Sequence, residues 1–564
     1  MYAMRALSMF TSLHRLRHGH YQVYPSRAFK EFRTLSQNSW SSPKILKQSS
    51  KIGSYYLNPP VVHFSRRLRS SEDKIKMNKV ILSLKTVKEQ LELFERIKNS
   101  ANIVNRVTML YSIAKIAGRD GNQRRVLERE KGNSRQALTG VYLELLDSIS
   151  KDIAKCKPRG LANVMWALGN LEEKDHQLVQ VCERAILSHD IATFGNANIS
   201  QIVSGCINLD LTATEISSML QESIREGQLR VSIFDSQLLA AMLMLFANSD
   251  GCAVELFDIF LEEILSRDFL VIGSSDLAVF VWFFAKKELN ADTLFERVEK
   301  EILRRGTANL EKRDVFQILW AFSKARKGGK DIFNIMDNEL NLRGVEELNN
   351  SDLSQIVWSF ATRDARNAKV FDLVKDEVFN RGVGMFQVHQ LVLILYSFVV
   401  AQRQDNKLVE EIESELLTRD VELFGNGALC QVVWSLGKAG KANSKMFEVI
   451  EEIVFQRGLH QFSKPEKFLL LREYVKAKAG SKKLYEGLQV SFLKSSFSDL
   501  TARDFFDLAW YFSEAEVNTG HLINTGQLFD TWEREILTKE KRFFTKKQID
   551  LLKKSFQKVG RKRI

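Results

Sequence analysis

Nine polar side chains stand at two fixed offsets along this chain of 564 residues. Asn163, Gln201, Gln317, Gln355 and Gln431 form one series, and Lys286, Lys324, Lys438 and Lys476 the other. All but one of the intervals within a series are multiples of 38 residues. A carboxamide both donates to and accepts from a base edge, and an ammonium neutralises a phosphate. A recurring amide with a lysine seven places later is therefore a donor set suited to a single-stranded polyanion. The same residues would also simply solvate an exposed helical stripe, and spacing alone leaves both readings open. Ala241, Val279, Leu393 and Leu469 interrupt the amide series, so not every repeat need make the same contact.

Other chemistry is poorly provided for. The 9 histidines show no HExxH or comparable metal spacing. Gly437-Lys438-Ala439-Gly440-Lys441-Ala442 resembles a phosphate loop but lacks the Walker spacing and the hydroxyl residue after lysine. The 5 cysteines (Cys156, Cys182, Cys206, Cys252 and Cys430) form no CxxC pair and are odd in number. That argues against a disulfide scaffold or zinc site and for a reducing compartment. The expectation is a protein without enzymatic activity, cofactor or metal.

The elements that would carry the two series come from a third. Tyr111, Trp166, Ser204, Met244, Trp282, Trp320, Trp358, Tyr396, Trp434, Arg472 and Trp510 occupy one slot, and eight of the ten gaps between them are 38 residues. The amides stand three places before this slot and the lysines four after it. Around the slot, as in Leu161-Ala162-Asn163-Val164-Met165-Trp166-Ala167-Leu168-Gly169, apolar residues recur with helical periodicity over an unusually broad face. A helix covered by neighbours on two sides needs such a face. Positions three before, one after and four after the slot are expected on its solvent side, and the aromatic slot in the core rather than as a base-stacking platform. Small residues one and three places past the slot (Ala321 and Ser323, Ser359 and Ala361, Ser435 and Gly437) allow close helix approach.

A second helix follows in each repeat, for example Leu294–Leu303 or Val370–Phe379. Near its end Arg267, Arg305, Arg343, Arg381, Arg419 and Arg457 recur every 38 residues, with Glu263, Glu301, Glu339, Glu377 and Glu415 four places earlier. That orientation favours an intrahelical ion pair, and arginine in the last turn suits the helix dipole. The regular acids assign this row to structure rather than to phosphate binding. Gly306, Gly344, Gly382 and Gly458 then read as caps. The fold expected is all-α: a right-handed α-solenoid of about 11–12 two-helix repeats of 38 residues.

Residues 101–558 form that solenoid, with a polar insertion near 118–140, a helical lead-in at 72–100 and a basic tail at 559–564. Lys546 to Arg561 reads as one more first helix acting as a cap. The formal charge of +13 is concentrated in residues 1–71, which hold twelve Lys or Arg and one acid, Glu31. The remaining 70 bases and 68 acids nearly cancel. An acid-poor leader with Arg5, Arg15, Arg17, Arg27 and Arg33 among Leu, Met and Phe has the composition of an organelle transit peptide. A basic arm that stays attached and touches RNA is the other reading. No apolar run reaches the roughly 18 residues of a membrane span, and no membrane association is expected.

The segment Leu161–Gly169 resembles the octotricopeptide repeat, a 38-residue two-helix unit whose first helix has the form L-A-N-x-L-W-A-L-A. The FAST-kinase-like RAP proteins and a helical-repeat subunit of the RNA-editing substrate-binding complex are related. The resemblance spans roughly residues 100–558; the repeats at Trp282, Trp320, Trp358, Trp434 and Trp510 carry it clearly, those at Ser204, Met244 and Arg472 by spacing alone. No RAP domain is expected. The resemblance implies an organelle protein, in the mitochondrial matrix or alternatively a plastid stroma. It would bind single-stranded mRNA or rRNA in processing, stability or translation, with a footprint on the order of ten nucleotides. Other RNA-processing or ribosomal proteins are further partners it suggests. The near-neutral repeat region favours the alternative, a protein-interaction scaffold in organelle ribosome or complex assembly.

Overall fold

A computed structural model describes residues 71–132, 137–211, 215–247, 254–363, 365, 368–403, 405–494, 501–519, 530–531 and 546–558. The expected transit segment and basic tail lie outside the described residues. Among those described there are 25 α-helices and no strand, and neighbouring helices pack in consecutive pairs, so the protein is an all-α solenoid. The chain divides into two compact units, with described helices at 71–325 and 330–558.

In the first unit the slot-bearing helices are α3 (Ile103–Arg119), α6 (Pro158–Leu171), α8 (Asn196–Asn208), α10 (Ser236–Phe246), α12 (Ser274–Lys286) and α14 (Lys312–Ala325). Their partners are α5 (Ala137–Asp152), α7 (Leu178–Leu187), α9 (Glu215–Arg225), α11 (Val254–Ser266) and α13 (Asp292–Arg305). The insertion forms α4 (Gly121–Gly132). The lead-in is a helix pair like the others: α1 (Ser71–Ser83) packs on α3 and α2 (Val87–Ile97) on α5. The second unit opens with α15 (Lys330–Arg343). The pairs α16 (Asn350–Thr362) and α17 (Val370–Arg381), α18 (Val388–Val400) and α19 (Asn406–Thr418), α20 (Asn426–Lys438) and α21 (Lys445–Arg457), and α22 (Lys464–Ala477) and α23 (Lys482–Leu493) follow. The unit closes with α24 (Ala502–Thr519) and α25 (Lys546–Lys558), and α25 packs on α24 as a slot-bearing helix would. We call the slot-bearing row A and the partner row B.

Within each unit, successive A helices approach more closely than successive B helices. The A row is apolar on both flanks, so within a unit an A helix packs against the A helices before and after it. Closest of all are α6 and α8. A Cβ on Gly205 would lie 2.5 Å from the Met165 carbonyl oxygen, and one on Gly169 would lie 2.8 Å from Gly205 Cα. Small residues past the slot thus bring the backbones together, as their spacing predicts.

Within each unit, polar staples tie several successive repeats together. The arginine at the end of helix B pairs with its glutamate, as Arg267 does with Glu263 (2.8 Å) and Arg419 with Glu415 (2.6 Å). Its remaining nitrogens reach back one repeat to carbonyls of the turn between helices B and A. Arg267 donates to Phe234 O at 2.6 Å, Arg305 to Ile272 O at 2.8 Å, Arg419 to Gly384 O at 2.8 Å and Arg457 to Phe424 O at 2.7 Å. The first residue of helix A completes the corner: Asn350 accepts from Arg381 (2.8 Å) and donates forward to Met385 O (2.8 Å). Asn426 does the same between Arg457 and Gln461 O. These bonds consume the guanidinium forks, which is why the arginine row is structural.

Both helix ends are specified locally. Gly306, Gly344, Gly382 and Gly458 cap B helices at φ of 72, 72, 82 and 79°, where a side chain would be strained. Six places past the slot seven A helices turn left-handed, with Gly440 (φ 78°) in one and ordinary residues in six: Glu172 (φ 56°), Asp210 (58°), Glu288 (54°), Arg326 (58°), Gln402 (57°) and Lys478 (52°). The next N–H closes the turn onto a carbonyl inside the helix, as from Lys327 to Phe322 (2.9 Å) and Arg403 to Phe398 (2.9 Å).

Candidate functional site

Three offsets on helix A form a single stripe: three before the slot, the slot itself, and four after it. Side chains three or four apart on a helix lie one above the other, and these three positions are half-buried through most of the chain. Asn163 and Trp166, Gln201, Ser204 and Asn208, Trp282 and Lys286, Trp320 and Lys324, and Gln355, Trp358 and Thr362 are all of intermediate exposure. The position one after the slot is not on this side: Ala167, Ala321, Ser359 and Ser435 are each 0% exposed. The aromatic slot is the middle of the outward stripe, between amide and lysine, rather than the dry spine expected. Trp434 at 5% and Tyr396 at 2% are the exceptions, and only there does the slot sit in the core.

Three pairs of slot rings touch between adjacent repeats. Tyr111 and Trp166 have ring centroids 4.8 Å apart and tilted by 39°. Trp282 and Trp320 are 6.5 Å apart and tilted by 44°, and Tyr396 and Trp434 5.0 Å apart at 42°. Tilted contacts of this kind suit the ring quadrupole.

The amides differ in what they can offer. Gln201 Nε2 donates to Asn163 Oδ1 at 3.1 Å, so two amides one repeat apart form a continuous pair. Gln355 Nε2 is held by Ser351 Oγ at 3.0 Å on its own helix. Gln431 is half-buried. Gln317 is 6% exposed with its Oε1 sealed from solvent, so it cannot reach a ligand as it stands.

The lysines also separate. Lys324 donates to Glu288 Oε1 of the preceding repeat at 2.9 Å, which neutralises much of its field. Lys476 is exposed and 3.8 Å from Glu473. Its pKa is lowered, chiefly by burial of the stem, with Arg472 and Lys438 adding repulsion against the pull of Glu473. Lys438 is exposed. Lys286 lies 4.9 Å from the Trp282 ring centroid, and burial, with Lys287 second, brings its ammonium down to about 8. At neutral pH it remains largely protonated, and an anion placed beside it would hold the charge more firmly.

Two members of the stripe escaped the sequence argument. Arg472 fills the slot in α22 and is half-buried, its Nε donating to Glu473. Arg159, seven before its slot, is exposed and close enough to act on the Tyr111 hydroxyl. The signal was available: a slot that accepts Ser204 and Arg472 cannot be uniformly dry.

The rest of the molecule offers little reactive chemistry. Cys156, Cys182, Cys206 and Cys430 are buried free thiols. Burial raises Cys156 to about 11 and Cys206 to about 12, so neither is a nucleophile at neutral pH. Among the described residues no group of His, Cys, Asp or Glu is placed to hold a metal ion, and no helix is long and apolar enough to cross a membrane. No family model matches this chain, and no curated protein matches it.

Proposed function

We propose that this protein binds single-stranded RNA along the stripe of its A helices and acts in an organelle on transcript processing, stability or translation. The observation that carries the reading is the Gln201–Asn163 bond. It joins amides 38 residues apart on a half-buried surface that also carries aromatic rings and ammonium groups in the same register. Amides suit base edges and lysines suit phosphates, and helical repeats can offer one such set per nucleotide. The resemblance of Leu161–Gly169 to the octotricopeptide repeat points the same way. The stripe has few unpaired charges, so base contacts must contribute much of the affinity, and the salt dependence should be modest.

The test is fluorescence anisotropy of the full chain with labelled single-stranded and duplex RNA over a range of salt. Single-stranded RNA should bind and duplex should not. The double variant Lys438→Ala/Lys476→Ala should weaken all single strands similarly, and Asn163→Ala should change sequence preference. If neither variant alters binding, the stripe is not the interface.

A protein-interaction scaffold is the second reading, favoured by one observation. Ile233 and Val271 in the first unit, and Met385 and Leu423 in the second, share one position in the turn before helix A, and are 59, 79, 70 and 81% exposed. A charged substitution at Val271 that abolished co-purification of a partner and spared RNA binding would support it.

A further inference from the structure

We infer that the half-exposed slot rings of the first unit, Trp166 with Tyr111 and Trp282 with Trp320, are base-stacking platforms; this rests on the RNA reading and specifies how the bases are held. A buried core tryptophan would be walled in on all sides. These are not: each is half-buried on the stripe, with Asn163 beside Trp166 and Lys286 and Lys324 beside Trp282 and Trp320, and each contacts the ring of the adjacent repeat. A paired, tilted ring is already ordered by its neighbour, so stacking a base against its π-face costs little further side-chain freedom. The Lys286 ammonium, 4.9 Å from the Trp282 centroid, places a phosphate-neutralising charge beside the same ring. Stacking tolerates any base, which fits a stripe whose amides are interrupted at Ala241 and Val279. The molecule contains its own control. Trp434 occupies the same slot and contacts Tyr396, but at 5% exposure it has no surface to offer.

The experiment compares a short oligoadenylate of about ten nucleotides with an abasic ribose-phosphate strand of equal length, both titrated onto the full chain. Affinity is read by anisotropy and the rings by intrinsic tryptophan fluorescence. The base-bearing strand should bind more tightly by about 5- to 150-fold per stacked base and quench the fluorescence. Trp166→Leu and Trp282→Leu should each lose part of that advantage and leave abasic binding unchanged. Trp282→Phe should retain most of it, and Trp434→Leu should retain all of it while lowering the melting temperature. Circular dichroism establishes that each variant is folded at the titration temperature. Equal affinity for the two strands overturns the inference while leaving RNA binding intact. An advantage that survives in both the Trp166 and Trp282 variants also overturns it, since bases would then be held elsewhere. No binding of either strand overturns the RNA reading itself.

Discussion

Gly205→Ala should destabilise the first unit by about 2 kcal/mol, and the structure supplies the reasoning. The new methyl group would sit 2.5 Å from the Met165 carbonyl oxygen and 2.7 Å from its carbon, where ordinary contact begins at 3.4 Å. Two of the three atoms struck are backbone of α6, so rotating the Met165 side chain does not relieve the clash. The two A helices must separate by most of an ångström along the seam where Gly169 also meets Gly205. Overpacking of a well-packed seam costs roughly 1–3 kcal/mol, and a rigid backbone obstacle places this case near the top. Alanine is the better helix former by about 1 kcal/mol, which offsets part of the cost. A unit of this size should lose roughly 4–8 °C in melting temperature, read by circular dichroism. Gly427→Ala is the control, because a Cβ there meets nothing within 4 Å; it should leave the melt unchanged or raise it slightly. If the Gly205 variant melts with or above the parent, close approach of the A helices is not what sets the packing.

Four further outcomes follow from the same geometry. Arg457→Ala should cost about 2–3 kcal/mol, because it orphans Phe424 O and Asn426 Oδ1; hydrogen exchange should rise at residues 421–426, and Arg457→Lys should not restore protection, since an ammonium cannot reproduce the fork. Gln402→Gly should stabilise the second unit by about 1 kcal/mol, measured by denaturant melt, because φ there is 57°. Asp276 is pushed up to about 7, by burial first and then by Asp235 and Asp314. Its folded form keeps a proton that the unfolded chain gives up near pH 4, so stability present in acid falls as pH rises through 7. Asp276→Asn should remove that fall, and the variant should gain on the parent in melts at pH 8 relative to pH 5. Trp434→Ala should cost roughly 3–5 kcal/mol and the half-buried Trp358→Ala less; equal losses would contradict the different burial of the two slots.

The helix pairs were legible because a strict repeat makes every unit report on the others. The 38-residue register of slot, arginine and glutamate places both helices and their order, and the small residues past the slot point to the tight A-row seam. The lead-in was harder, since α1 carries no aromatic slot residue to align it. What the arginines grip was invisible, because their acceptors are backbone carbonyls one repeat away, and carbonyls leave no mark on sequence. The left-handed turn six past the slot was hidden for a related reason: Glu172, Asp210, Gln402 and Lys478 carry no glycine signature, and the turn is imposed by hydrogen bonds back into the helix. The candidate stripe was half legible. The expected amides and lysines are half-buried or exposed except Gln317, which is sealed. The ring between them was assigned inward because apolar neighbours flank it on both sides, so hydrophobicity alone cannot say which member of a broad apolar face lies at its border.

The most direct measurement of the central claim is photocrosslinking of the full chain to single-stranded RNA containing 4-thiouridine, with the attached peptides located by mass spectrometry. The account predicts attachment within A helices, at 158–171, 196–208, 274–286 and 312–325 in the first unit and 426–438 and 464–477 in the second. Attachment confined to B helices or to the turns carrying Ile233, Val271, Met385 and Leu423, or no attachment at all, would contradict it.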